Sequence, residues 1–166
     1  MSENYIVING KKLELTEKQL RALGIETRRN PFERLKSDAD GPYYYITEFG
    51  NITFNYESHI SGNEKQYNNV NYFNDEAFAE QVALHQLLYR KLLKFAYDNE
   101  CEDREKWDGE NRHWFVRWSC ATGNFIIFNE YYCKGQEVYF SSDEAAKRAG
   151  REVVEPFMKE HPEFVW

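Results

Sequence analysis

The apolar positions change period along the chain, and each change marks an element. Tyr5-Ile6-Val7-Ile8 is a short β-rich run closed by Asn9-Gly10, the strongest short hairpin signal. After Leu15 the pattern turns helical. Thr16 followed by Gln19 is a capping box, Leu20 and Leu23 supply one apolar edge, and Gly24 is placed to end the helix. Two turns cannot hold alone, so this helix must dock onto the rest of the chain or onto another molecule. Arg28-Arg29-Asn30-Pro31 and Lys36-Ser37-Asp38-Ala39-Asp40-Gly41 read as connecting segments.

From Tyr43 onward the pattern is denser. Tyr43 to Thr47 is a strand by composition, Glu48-Phe49-Gly50-Asn51 a turn, and Ile52 to Tyr56 an alternating return strand. A polar loop over 57–68 leads to a short aromatic strand, Val70 to Phe73. Asn74-Asp75-Glu76 then opens a long helix reaching about Asp98. On a wheel of 100° per residue, Ala77, Leu84, Leu87, Leu88, Leu92 and Phe95 share one arc. Phe78, Val82, Tyr89, Leu93 and Ala96 fall on the next. So wide an apolar arc predicts a central helix with two partners, one of them a sheet. Beyond an acidic stretch, Trp114 to Trp118 is a strand and Ala121 to Asn124 a turn. Phe125-Ile126-Ile127-Phe128 is a strand too apolar for a wet face. A third short strand, Val138 to Phe140, precedes a second capping box at Ser141 and Glu144. Ala145, Ala149, Val153 and Phe157 mark the helix that follows, with Gly150 its weak point.

Two stretches match. Tyr72 to Ala79 aligns without gaps to Tyr139 to Ala146, and Gly50-Asn51-Ile52 matches Gly123-Asn124-Phe125. The fold expected is therefore α+β: two hairpin-strand-helix (βββα) pseudo-repeats around a long central helix. An N-terminal hairpin, short helix and linker occupy residues 1–41. The body spans 42–166, with repeat one at 42–98, an acidic loop at 99–111 and repeat two at 112–160.

Composition narrows the function classes. The 166 residues carry 12 Tyr, 12 Phe and 4 Trp, too many aromatics for a disordered chain. MSENYIVING lacks the apolar core of a secretory signal, which predicts a cytoplasmic protein. Cys101, Cys120 and Cys133 form neither a disulfide framework nor a zinc motif, so no metal and no cofactor are expected. Nucleotide-binding, zincin and hydrolase-elbow motifs are missing, and the expectation is a protein that is not an enzyme. His85 reads as a satisfied core histidine, His113 as a surface residue, and Cys133 has no base to activate it. Tyr43, Tyr44, Tyr45, Trp114, Phe115 and Trp118 could stack bases, but alternation puts at most half on one face. The basic residues Arg21, Arg28, Arg29, Arg34 and Lys36 are the one cluster suited to phosphate in a chain of net charge −7.

The charge is concentrated. Residues 37–111 hold 15 acids against 6 bases, and the densest run is Asp98 to Glu110. It is either a solvated loop or an acidic surface for a basic partner. The second reading makes Asp98, Glu100, Glu102, Asp103, Glu105, Trp107, Asp108 and Glu110 the partner-binding residues, charge around an aromatic anchor.

The texts NPFERLKSD, NYFNDEAFAEQ and YYCKGQEVYFSSDEAAKRA are similar to small, mostly uncharacterised proteins of phages and mobile elements in Gram-positive bacteria, over residues 5–150. The junction NYFNDEAFA also resembles the three-strand-plus-helix unit of AP2-type DNA-binding domains, against which the acidic charge argues. The phage resemblance implies an accessory protein in the host cytosol, of the kind that includes anti-CRISPR inhibitors. It would bind a host protein that handles nucleic acid, such as a defence enzyme. The alternatives are a small DNA- or RNA-binding regulator using residues 18–36, and a structural or self-assembling phage protein.

Overall fold

The computed structural model describes residues 5–8, 11–15 and 30–166, and its architecture is α+β. Strands β1 (Tyr5–Ile8) and β2 (Lys11–Glu14) pair antiparallel from Tyr5↔Glu14 to Ile8↔Lys11. The Asn9-Gly10 turn, the helix read from Thr16 to Gly24, and Arg21, Arg28 and Arg29 lie outside the described residues.

The body holds two further hairpins, each its own two-stranded sheet: β3 (Pro42–Ile46) with β4 (Ile52–Tyr56), and β5 (His113–Ser119) with β6 (Asn124–Glu130). The expected third strands contract to single bridges, Phe73 on Tyr44 and Phe140 on Trp114. The reason lies two residues downstream. Asp75 and Ser142 already serve as helix N-caps, accepting from the Phe78 and Ala145 N–H groups at 2.8 and 3.1 Å, so the chain must leave the sheet at once. Ser142, not Ser141, is therefore the second cap. β6 also differs from expectation. Ile126 and Phe128 are each 41% exposed while Phe125 and Ile127 pack on the core, so the strand does have a wet face.

The segment read as a polar loop contains a helix, α1 (Ser61–Asn68). Its buried residue is a polar one, Asn63, which donates to the Tyr43 hydroxyl and the Tyr56 carbonyl at 2.9 and 3.1 Å. A helix anchored by an amide leaves no apolar periodicity to read. Around it sits a small aromatic core in which Tyr43 stacks on Tyr72 at 4.1 Å, beside Leu35. Burial pushes the Tyr72 hydroxyl up to about 12. Glu57, 2% exposed, accepts from Arg34 Nε at 2.9 Å. Arg34 thus leaves the expected basic cluster, and the segment around Leu35 packs on the body.

The central helix α2 (Glu76–Asp98) buries Ala79, Ala83, Leu88, Leu92, Phe95 and Ala96, one stripe. Ala77, Tyr89 and Leu93 are exposed, so the arc is narrower than the wheel implies. The stripe meets the β3–β4 hairpin and, farther along, the C-terminal helical segment. Leu88, Leu92 and Phe95 join Val116, Phe140, Val154 and Phe157 in the main core. The C-terminal segment is not one helix. α3 (Asp143–Ala149) widens into a π-turn at Gly150–Val154 before α4 (Glu155–Glu160). Pro156 has no N–H to give Glu152 and its ring displaces that carbonyl, which opens the turn. Gly150 stays because the Phe125 ring lies 2.5 Å from where a Cβ would be.

Candidate interaction surface

The acidic connection begins at the end of α2. Glu100 takes the left-handed conformation (φ +50°), its N–H reaches the Tyr97 carbonyl at 3.2 Å, and the Cys101 N–H reaches Ala96 at 2.9 Å. This is a Schellman cap with glutamate where glycine is usual. Cys101 seals it by joining the core beside Ala96. The chain then runs along Phe140: Glu102 bridges Phe140, and the Asp103 N–H donates to the Tyr139 carbonyl at 3.1 Å. Phe140 is consequently held between this connection and β5.

The middle of the connection is pinned from within. Asp103, 6% exposed at its side chain, accepts from Nδ1 of His113 at 2.7 Å. A carboxylate only accepts, so Nδ1 carries the proton. Trp107 stacks flat on the His113 ring at 3.6 Å and 8°, with the Tyr139 ring edge-on to Trp107 at 4.9 Å. His113 is fully buried, and its Nε2 has no hydrogen-bond partner among the described residues. Farther on, Asp108 accepts from the Glu110 and Asn111 N–H groups at 3.0 and 3.4 Å, which holds its carboxyl below the usual range. Gly109, at φ +87°, lets this turn lie against the Tyr132 ring, 2.2 Å from where a Cβ would be.

The eight residues singled out in the sequence therefore divide. Asp98, Glu100, Glu105, Asp108 and Glu110 are exposed. Glu102 is half-buried and ion-paired to Arg104, whose guanidinium lowers its carboxyl. Asp103 and Trp107 turn inward as the brace. Sequence reading missed His113 and Tyr139, which complete that brace, and it reversed two histidines. His113, expected at the surface, is buried because Asp103 satisfies it. His85, expected in the core, is exposed, with its ring 4.6 Å from that of Phe164.

Other candidate chemistry disperses. Cys120 and Cys133 are exposed, and among the described residues no three His, Cys, Asp or Glu side chains gather to hold a metal ion. Of the aromatics that could stack bases, Tyr43 and Phe115 are consumed by packing. Among the described residues, no helix is long and apolar enough to cross a membrane. No protein-family model, no curated protein and no solved structure matches the chain.

Proposed function

We propose that this protein works by docking, not by catalysis: the acidic face between α2 and β5 binds a basic groove on another protein. The observation that carries this reading is that one of the exposed acids, Glu100, is kept at a local energetic cost. Glu100 sits at the negative end of the α2 dipole, where a carboxylate is unfavourable by about 0.3–1 kcal/mol, whereas Asp98 at the same end is offset by its ion pair with Lys94 one turn back. Glu100 also occupies a left-handed position that favours glycine. A connection that served only to link α2 to β5 would gain stability by losing Glu100. A cluster of exposed carboxylates, by contrast, complements a phosphate-binding groove, with fast, salt-sensitive association. The resemblance to phage and mobile-element proteins supplies the setting, an accessory protein that inhibits a nucleic-acid-handling defence protein of the host.

The test is a pulldown from host lysate with and without nuclease, at low and high salt. It compares the natural chain with the combined variant Asp98→Asn, Glu100→Gln, Glu105→Gln and Glu110→Gln. Glu102, Asp103 and Asp108 stay, because they hold the connection together. Capture of a nuclease or related protein that survives nuclease treatment, weakens at high salt and is lost in the variant supports the reading. Recovery of nucleic acid alone points to a DNA- or RNA-binding regulator. Unchanged affinity in a folded variant removes the acidic face from consideration.

A further inference from the structure

A second surface has the opposite character. Between α2, β5 and the 136–138 segment runs a groove of about 710 Å³, within the range usual for small-ligand sites. Its floor is Leu88, Leu92, Val116 and Val138, all buried core residues, and Trp166 forms part of its wall. The charges around it are unequal. Glu137 is engaged, accepting from Arg117 at 2.7 Å and from the Tyr139 hydroxyl at 3.2 Å. Arg90 makes no ion pair among the described residues and rests against Gly50 at the β3–β4 turn. The side-chain amides of Gln86, one helical turn before Arg90 on the same face, and of Gln136 across the groove make no hydrogen bonds among the described residues.

We propose that this groove binds a small amphipathic carboxylate, an acid with an aliphatic or aromatic body. The body would lie over this floor and against Tyr89 and Trp166, whose exposed ring surface it would remove from water. The carboxylate would take the Arg90 guanidinium, whose planar donor fork matches it, with the two glutamine amides as further donors. In a chain of net charge −7 an anion is repelled over most of the surface, so an unpaired cation beside an apolar floor selects both the sign and the shape of the ligand. This site lies apart from the acidic face and does not depend on its function.

Decanoate, kept below its micelle-forming concentration, is titrated into the full chain. The methyl signals of Leu88, Leu92, Val116 and Val138 and the Trp166 indole N–H are followed by NMR. Saturable shifts confined to these signals are expected. Arg90→Gln is expected to weaken binding about tenfold, as loss of a charge-assisted hydrogen bond does. Trp166→Ala should also weaken it, with far-UV dichroism checking that the variant, which loses a ring packed against the core, still folds. Butyrate, with the head but little body, and decyltrimethylammonium, with the body but the wrong charge, should bind far more weakly. Equal binding of the cationic chain, no effect of Arg90→Gln, or shifts outside the groove would overturn the assignment. Shifts that vary with protein concentration before any ligand is added would assign the groove to a second copy of the chain.

Discussion

Replacing Asp103 by alanine distinguishes a braced connection from a solvated one. The Asp103 carboxylate accepts a 2.7 Å bond from His113 Nδ1, and His113 Nε2 already lacks a partner among the described residues. The variant would therefore leave a fully buried imidazole without a hydrogen bond at either nitrogen. A bond to a charged group contributes about 1.5–3 kcal/mol, and an orphaned buried donor costs about 1–3 kcal/mol. These figures count one bond from its two sides and are not summed, and removing a desolvated carboxylate returns part of the loss. The expected destabilisation is about 2–3 kcal/mol. An exposed acid in a solvated loop would change stability by less than about 0.5 kcal/mol. Urea unfolding followed by far-UV circular dichroism reads the difference as a midpoint lowered by roughly 1–2 M at an unchanged slope. Near-UV dichroism should weaken as well, since Trp107 loses its fixed stack on His113. Asp103→Asn keeps an acceptor and should cost less. A midpoint shift for Asp103→Ala inside the solvated-loop range, with the near-UV signal intact, would refute the brace.

Glu100→Gly should stabilise the protein by about 0.5–1 kcal/mol, because glycine relieves the left-handed cap while adding chain entropy to the unfolded state. Thermal unfolding measures it, and a loss of stability would show that the glutamate side chain supports the cap. Leu88→Ala, in the centre of the α2 stripe, should cost ~2–5 kcal/mol in denaturant unfolding, and a loss below ~0.5 kcal/mol would place that face in solvent. The Arg34 hydrogen bond lowers the Glu57 carboxyl, with the His59 N–H helping against burial. Its stabilisation is therefore fully present above the ordinary glutamate pKa and lost as pH falls through the lower folded value. In Arg34→Ala the unpaired buried carboxylate would favour its protonated form. The fall in urea midpoint between pH 7 and pH 4 should then shrink relative to the natural chain, and an undiminished fall would count against the pair.

Elements with strong local signals were legible in the sequence. The paired hairpins, the Asp75 start of α2 and its end at Asp98 follow from alternation, capping chemistry and apolar spacing, which act within a few residues. What escaped depends on partners distant in the chain. α1 is fixed by Asn63 reaching Tyr43, 20 residues away. The narrow stripe of α2 reflects which surfaces the hairpin and the C-terminal segment actually cover. The π-turn follows from Pro156, but the glycine that begins it is required by Phe125, 25 residues earlier, packing against it. The two histidines were reversed for the same reason: a histidine is buried where an acceptor meets it, and the Asp103–His113 pairing spans 10 residues of irregular chain with no period to reveal it.

The acidic stretch was legible only as a quantity of charge, and the structure gives its members opposite physical roles. Asp103 and Asp108 spend their lone pairs on the chain itself, one on an imidazole and the other on backbone N–H groups, so neutralising either should loosen the connection. Asp98, Glu100, Glu105 and Glu110 are exposed. Glu100 opposes the α2 dipole, so neutralising Glu100, Glu105 or Glu110 should leave stability unchanged or raise it, while Asp98 is offset by its exposed ion pair with Lys94. A stretch kept acidic only for solubility would have no reason to place a carboxylate at Glu100, where both the helix end and the backbone conformation disfavour it. The sign of the stability change on neutralisation thus separates acids that build the surface from acids the surface exists to display.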